Sequence, residues 1–225
     1  MTAMFVTATG TDIGKTFVAC GMIRALRGRG RAVDALKPIV TGFDARAAHL
    51  SDTGRLLATL GRPVTPNDIA QVSPFRLRAP LSPDMAARIE GARIDFKALN
   101  TFCRDAVSRR KDALIIEGIG GIMVPLDERH TVLDWMIEVA VPAILVAGSY
   151  VGTLSHTLSA LDVLARRKLK VAAVVVSETP GSAATLADTA DTIRRFAAKI
   201  EVFALPRLPE GTFDHPVMAA IADLM

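Results

Sequence analysis

Ala3-Met4-Phe5-Val6-Thr7-Ala8-Thr9-Gly10-Thr11-Asp12-Ile13-Gly14-Lys15-Thr16-Phe17-Val18-Ala19 reads as a short apolar strand, a tight turn and the opening of a helix. A Gly-Lys-Thr triplet at such a turn surrounds an anion with backbone N–H groups, sets Lys15 on β/γ-phosphate oxygens and offers the Thr16 hydroxyl to Mg²⁺. The usual spacing would put glycine at position 9, where this chain has Thr9. The strand before and the helix after supply the context the motif demands. The plainer alternative is an ordinary strand-to-helix turn with a lysine at its helix start. It fits poorly, because a cation is disfavoured at the positive end of a helix dipole.

Outward from this turn, short apolar runs alternate with longer amphipathic stretches. Candidate strands are Ala3–Thr7, Ala32–Leu36, Ala113–Ile116, Ala143–Ala147, Val171–Val176 and Val202–Ala204. Candidate helices are Lys15–Leu26, Phe96–Ser108, Leu154–Ala165, Ala183–Ala198 and Val217–Leu224. Strands that are continuously apolar rather than alternating are covered on both faces. The pattern predicts an α/β fold of the P-loop nucleotide-binding kind, a mostly parallel central sheet with helices on both faces, in a single domain over residues 1–225. One stretch breaks the rhythm: Arg62 to Asp84 holds Pro63, Pro66, Pro74, Pro80 and Pro83. It reads as an irregular excursion, either a plain surface loop or a lid or subunit contact.

Composition agrees with this reading. Half of the 225 residues are hydrophobic, mean hydropathy is +0.33 and only 5% are aromatic, so the core is aliphatic and disorder is excluded. The 27 Lys and Arg against 23 Asp and Glu give +4, and the pI is 9.4. The basic residues cluster only at Arg24, Arg27, Arg29 and Arg31 and at Arg166, Arg167, Lys168 and Lys170, which read as solvated helix ends rather than a nucleic-acid surface. Cys20 and Cys103 lack CxxC spacing and clustered histidines, which argues against a thiolate metal site and for a reducing compartment. No targeting segment is read, and the longest apolar windows fall short of a membrane span, so a cytoplasmic protein without membrane partners is expected.

Further residues gather chemistry at strand ends. Glu117 ends the run Ala113-Leu114-Ile115-Ile116 and precedes Gly118-Ile119-Gly120-Gly121. Ligands of open α/β sheets bind beyond the carboxyl ends of strands, and a hard carboxylate there suits Mg²⁺. Lys37 follows Ala35-Leu36 and precedes Pro38-Ile39-Val40-Thr41-Gly42, which delivers an amine to the same edge to neutralise phosphoryl charge or position a carboxylate or carbamate; the plainer alternative is a snorkelling lysine at a strand end. Asp52, after Leu50-Ser51, reads more readily as a cap for a Thr53–Leu60 helix than as a metal ligand. The turn Gly148-Ser149-Tyr150-Val151-Gly152-Thr153-Leu154-Ser155 presents N–H donors to a carboxylate, as parallel strand-to-helix turns generally do.

Together these stretches resemble the dethiobiotin synthetases, a P-loop family of biotin biosynthesis. Ala8–Thr16 is similar to the family's Gly-Thr-Asp-Thr-x-Val-Gly-Lys-Thr, Leu36–Gly42 to Tyr-Lys-Pro-Val-x-[Ser/Thr]-Gly, and Ile116–Gly121 to Val-Glu-Gly-Ala-Gly-Gly; Asp134-Trp135 and Val141–Gly148 follow in order. The resemblance implies an ATP- and Mg²⁺-dependent cyclo-ligase that joins 7,8-diaminononanoate and CO₂, supplied as bicarbonate, into dethiobiotin with release of ADP and phosphate. It implies catalytic roles for Lys37, Lys15 and Thr11, metal binding by Thr16, Asp52 and Glu117, and nucleotide contacts from Asp12, Ile13, Gly14, Lys15, Thr16, Phe17, Glu117, Ser177, Pro206, Leu208 and Glu210. Substrate would meet Thr11, Lys37, Thr41, Gly118 and the Gly152, Thr153, Leu154, Ser155 turn, supplied in the family by the partner of a homodimer. The chain departs from the family at Ala8 and Gly10, at Ser82-Pro83-Asp84 in place of Ser-Pro-His, and at Ser177, one hydroxyl where the family reads adenine with an asparagine amide. The alternative is a regulatory or partitioning P-loop ATPase acting by nucleotide-dependent dimerisation; such proteins usually carry an extra lysine early in the loop, and none lies between Met1 and Gly14.

Overall fold

A computed structural model describes residues 2–197, 199–209 and 211–225. Among them, six parallel strands form one sheet: β1 (Thr2–Ala8), β2 (Val33–Leu36), β5 (Ala113–Glu117), β6 (Ala143–Gly148), β7 (Val171–Ser177) and β8 (Glu201–Leu205). Their order is β2-β5-β1-β6-β7-β8. Travel along the chain therefore runs to one side of β1 and then crosses to the other, making β1 the place where ligands gather in open α/β sheets.

Strand residues alternate between two cores because side chains alternate across a pleat. Leu114, Ile116, Leu145, Val174 and Val176 face one layer. That layer includes residues of α5 (Phe96–Arg109), α6 (Val132–Val139), α7 (Thr153–Arg166) and α8 (Leu186–Phe196). Ile115, Ile144, Val146, Ala173 and Val175 face the other, with α1 (Lys15–Gly28), part of α2 (Asp52–Thr59) and α9 (Pro216–Ala222). Phe5 and Trp135 meet edge to face at 4.8 Å, both fully buried. None of the described helices is long and apolar enough to cross a membrane.

The proline-rich stretch is more regular than its composition suggests. Pro66 opens α3 (Pro66–Val72) and Pro83 opens α4 (Pro83–Ile89), each in the first turn, where a missing N–H costs nothing. Between them β4 (Phe75–Arg76) pairs in parallel with β3 (Ile39–Val40). Helix α6, only eight residues long, is not among the helices expected from the sequence. Asp134 and Trp135 belong to it: Asp134 closes a capping box with Thr131. The expected helix from Ala183 starts instead at Leu186, behind a Thr185 cap, and its far end at Ala198 lies outside the described residues.

Arg27 and Arg29 are exposed and Arg31 half-buried, and all three also bond across the end of α1. Arg27 donates to Thr59 O at 2.6 Å, Arg29 donates to Ala219 O and pairs with Asp223 at 2.7 Å, and Arg31 holds Asp112 with two N–H groups. They tie the C-terminal end of α1 to its neighbours. Cys20 and Cys103 are free and buried, and burial pushes both thiols up to about 12.

Candidate functional site

Residues beyond the carboxyl ends of β1, β5 and β2 converge on one cluster. The turn from β1 to α1 carries Asp12 and Gly14 in the left-handed region, at φ 55° and 103°. Glycine suits the second position doubly, because a Cβ there would come within 3.1 Å of Ser177 Oγ at the end of β7. Thr11 and Asp12 are exposed, Ile13, Gly14, Thr16 and Phe17 are half-buried, and Lys15 is 7% exposed. The Lys15 ammonium folds back to donate to Gly10 O at 2.8 Å. Burial, and after it the neighbouring Lys37 charge, lowers its pKa to about 8.

Lys37, 2% exposed, donates to Glu117 Oε1 at 2.6 Å and to Gly118 O at 2.8 Å, and lies 3.0 Å from Asp52 Oδ2. Thr16 Oγ1 donates to the same Glu117 Oε1 at 2.7 Å. Burial alone would pull the Lys37 pKa down, but the Glu117 and Asp52 carboxylates outweigh it and hold the amine charged. Burial works against the Asp52 charge too, and Lys37 overrides it, so that carboxyl sits below its usual range. Asp52 is free for this because it does not cap its helix: Ser51 does, its Oγ accepting from Gly54 N at 3.1 Å, with Asp52 as the first helical residue. The capping role expected for Asp52 thus falls one residue earlier.

In the glycine-rich turn after Glu117, Gly121 sets the β5 turn against the phosphate loop. A Cβ on Gly121 would lie 3.0 Å from Thr9 O and 3.3 Å from Gly10 N; one on Gly120, at φ 56°, would instead meet Val124 Cγ2 of its own turn at 2.6 Å. Glu178, missed in reading the sequence, accepts from Arg207 N at 2.8 Å and so ties the segment carrying Pro206 and Leu208 to the end of β7. Glu210 lies outside the described residues. The Phe17 ring packs on Phe213, centroids 4.9 Å apart. Thr41 is half-buried just past β3. Gly152, at φ 98°, and Thr153, whose hydroxyl donates to Gly148 O at 2.7 Å, start α7, with Leu154 half-buried and Ser155 exposed.

A divalent cation fits the donor set. Glu117 is fully buried, and its Oε2 has no hydrogen-bond partner among the described residues, an acceptor costly to leave unmet. Among those residues no three His, Cys, Asp or Glu side chains form a metal-holding group. Two carboxylates and a hydroxyl beside a phosphate loop are instead what Mg²⁺ takes when phosphate and water complete its shell.

A family model described as an AAA domain matches residues 2–213. The ATP-dependent dethiobiotin synthetase of Phenylobacterium zucineum (strain HLK1) is 43% identical over 99% of this chain and 96% of its own length. That of Caulobacter vibrioides (strain NA1000 / CB15N) is 46% identical over 92% and 93%. Among solved structures, a ParA family ATPase from Chlorobium tepidum TLS matches with TM-score 0.56 at 12% identity, covering 98% of each chain. The MinD cell division protein of Aquifex aeolicus matches with 0.54 at 16%, covering 100% and 95%. At those identities the solved structures share the fold, whereas the sequence relatives decide membership: the chain belongs to the family of ATP-dependent dethiobiotin synthetases.

Proposed function

We propose that this protein, acting as one domain, is a dethiobiotin synthetase that closes the ureido ring of dethiobiotin from 7,8-diaminononanoate, CO₂ and ATP, releasing ADP and phosphate. The observation that carries the reading is the meeting of Lys37, Thr16, Asp52 and Glu117 beside the phosphate loop, in a chain 43% identical to a curated synthetase. A P-loop hydrolase needs the loop lysine; a second buried lysine suits a reaction in which a carbamate carries charge next to the phosphate.

In the proposed reaction one substrate amine takes up CO₂ to form a carbamate. A carbamate oxygen attacks the γ-phosphorus and ADP leaves; the second amine then attacks the carbamoyl carbon and phosphate leaves. Bound Mg²⁺ would supply charge neutralisation and alignment of phosphate oxygens, held by Thr16, Asp52 and Glu117. Lys15 leaves the Gly10 carbonyl to meet phosphate oxygens, and the loop N–H groups of Ile13 to Phe17 cradle them. Lys37 offsets the charge shared between carbamate and transferring phosphoryl. Thr11, Thr41 and Gly118 orient the substrate, so the work is positioning and electrostatics. Asp12, Ser177 and the segment of Pro206 and Leu208 complete the nucleotide contacts.

The far carboxylate of the substrate would sit on the Gly152–Ser155 N–H groups of a second subunit. The exposed apolar Val151 beside that turn, and Leu81, Met85 and Ile89 around α4, support a homodimer. Two free buried thiols are in keeping with a cytoplasmic setting. Purified protein given diaminononanoate, bicarbonate, Mg²⁺ and ATP makes dethiobiotin under this reading. Absence of product with every nucleoside triphosphate would overturn it, as would ATP turnover indifferent to the diamine.

A further inference from the structure

The Lys37 ammonium is fully engaged by oxygens of the protein itself. It has three N–H donors and no acceptor. Three oxygens surround it: Glu117 Oε1 at 2.6 Å, Gly118 O at 2.8 Å and Asp52 Oδ2 at 3.0 Å. Two of these belong to the carboxylates fitted to a divalent cation, and Glu117 Oε1 receives the Thr16 hydroxyl as well. All three residues proposed to hold the cation therefore bind Lys37 directly or share the oxygen it bonds. Lysine and cation ask for the same negative charge, and Lys37 cannot neutralise these carboxylates while also reaching a carbamate.

We propose that Lys37 is the internal counter-ion of the Asp52–Glu117 pair, and that divalent-cation binding displaces its ammonium from those carboxylates and so hands it to the substrate. The inference rests on reading the cluster as a cation site. It accounts for Lys37 standing 2.6 Å from fully buried Glu117, since an unpaired buried carboxylate is among the most costly groups a fold can hold. It also sets an order: the lysine becomes available only once the cation is in place. The backbone need not move. Pro38 follows directly and fixes its own φ, while the flexible four-carbon stem of Lys37 provides the swing and Gly118 O remains as a tether.

Mn²⁺ alone, titrated into the nucleotide-free full chain and followed by the electron-spin resonance of the free ion, tests this. Lys37→Met removes the competing charge and is expected to bind Mn²⁺ about tenfold or more tightly than wild type, while Lys37→Arg, which keeps a cation, stays within about threefold of wild type. Equal or weaker binding by Lys37→Met overturns the proposal. Should that variant not fold, the wild type decides: acylation of Lys37 by acetic anhydride, mapped by mass spectrometry, rises several-fold when Mn²⁺ is added, and unchanged labelling overturns the handover. Mn²⁺ binding unaffected by charge at position 37 removes the handover but leaves the cation site; failure of every form to bind Mn²⁺ removes both. Dethiobiotin formation is a separate readout from either.

Discussion

The Lys37 ammonium lies 2.6 Å from Glu117 Oε1 with both side chains shut away from water, at 3% and 0% exposure. Asp52, the second carboxylate on that ammonium, is 41% exposed. The contrast separates a partner that holds the fold from one that serves the chemistry. Glu117→Gln leaves Lys37 charged in a buried site with its closer counter-charge gone, and breaking a buried pair from one side costs about 3–5 kcal/mol. Asp52→Asn is expected to cost less than Glu117→Gln, because the Asp52 side chain keeps contact with water and Glu117 still pairs with Lys37. Both variants lose about a hundredfold or more in turnover if they hold the cation that steadies transferring charge. Urea unfolding alongside dethiobiotin assays checks the pair; equal destabilisation by the two substitutions would show that burial does not divide their roles.

Gly121 stands against the backbone of the phosphate loop, and backbone cannot swing aside as a side-chain tip can. A methyl group at 3.0 Å from Thr9 O, 3.1 Å from Thr9 C and 3.3 Å from Gly10 N must push the loop that holds the nucleotide. Gly121→Ala is therefore expected to raise KM for ATP about tenfold or more, displacement of a positioning loop being costly out of proportion to its size. Gly91→Ala is the control: its φ of 60° makes alanine cost about 1–2 kcal/mol, but nothing lies within 4 Å of the new carbon. Its kinetics stay unchanged. Steady-state rates over an ATP series distinguish the two.

Much of this site is legible in the sequence because its parts are local. The strands of the main sheet are largely apolar, and the residues that matter sit where the apolar stretch stops: the phosphate loop after β1, Lys37 after β2, Glu117 at the end of β5. Their meeting is not local. Nothing near residue 37 announces Gly118 O, 81 positions away, as a partner. The caps misled for a related reason: Ser51 and Asp52 are adjacent and both suit an N-cap, and only the pull of Lys37 assigns the hydroxyl to the helix and the carboxylate to the site. Pro66 and Pro83 read as breakers although each opens a helix, since a proline's meaning depends on which side of it the helix lies. Two-residue strands such as β3 and β4 carry no period at all.

Asp134, one of the residues that carry the family resemblance, serves the fold by capping a helix. Its carboxylate accepts from Thr131 N at 2.8 Å and from Thr131 Oγ1 at 2.7 Å at the start of α6. Burial works against its charge, and these two donors outweigh it, holding the carboxyl below its ordinary range. A carboxyl whose folded pKa is depressed stabilises the fold above its unfolded pKa and loses that contribution as pH falls through the folded value. Asp134→Ala is thus expected to cost about 1 kcal/mol at pH 7, the usual worth of a cap, with the difference from wild type shrinking below about pH 4. Paired thermal melts across pH 3 to 7 measure it. A penalty that stays constant down to pH 3 would assign the loss to packing beside Trp135 instead of to the charge.

Ser177 ends β7 with its hydroxyl 3.1 Å from the place a Gly14 Cβ would take, so it stands over the phosphate loop at the mouth of the proposed nucleotide site. The segment of Pro206 and Leu208 is tied to the same corner through Glu178. A lone hydroxyl can serve as donor or acceptor by rotating, so it does not discriminate between bases that present opposite patterns; an asparagine amide presents both in fixed places. Wild-type turnover with CTP and GTP is accordingly expected within about tenfold of that with ATP, a spread of about 1.4 kcal/mol. Ser177→Asn is expected to widen the preference for ATP. The comparison needs kcat/KM for each triphosphate at saturating diamine, because only that ratio measures discrimination in the transition state. If wild type already rejects CTP and GTP by a thousandfold, base reading belongs to the backbone of the 205–209 segment, and Ser177 serves only to let Gly14 and β7 pack closely.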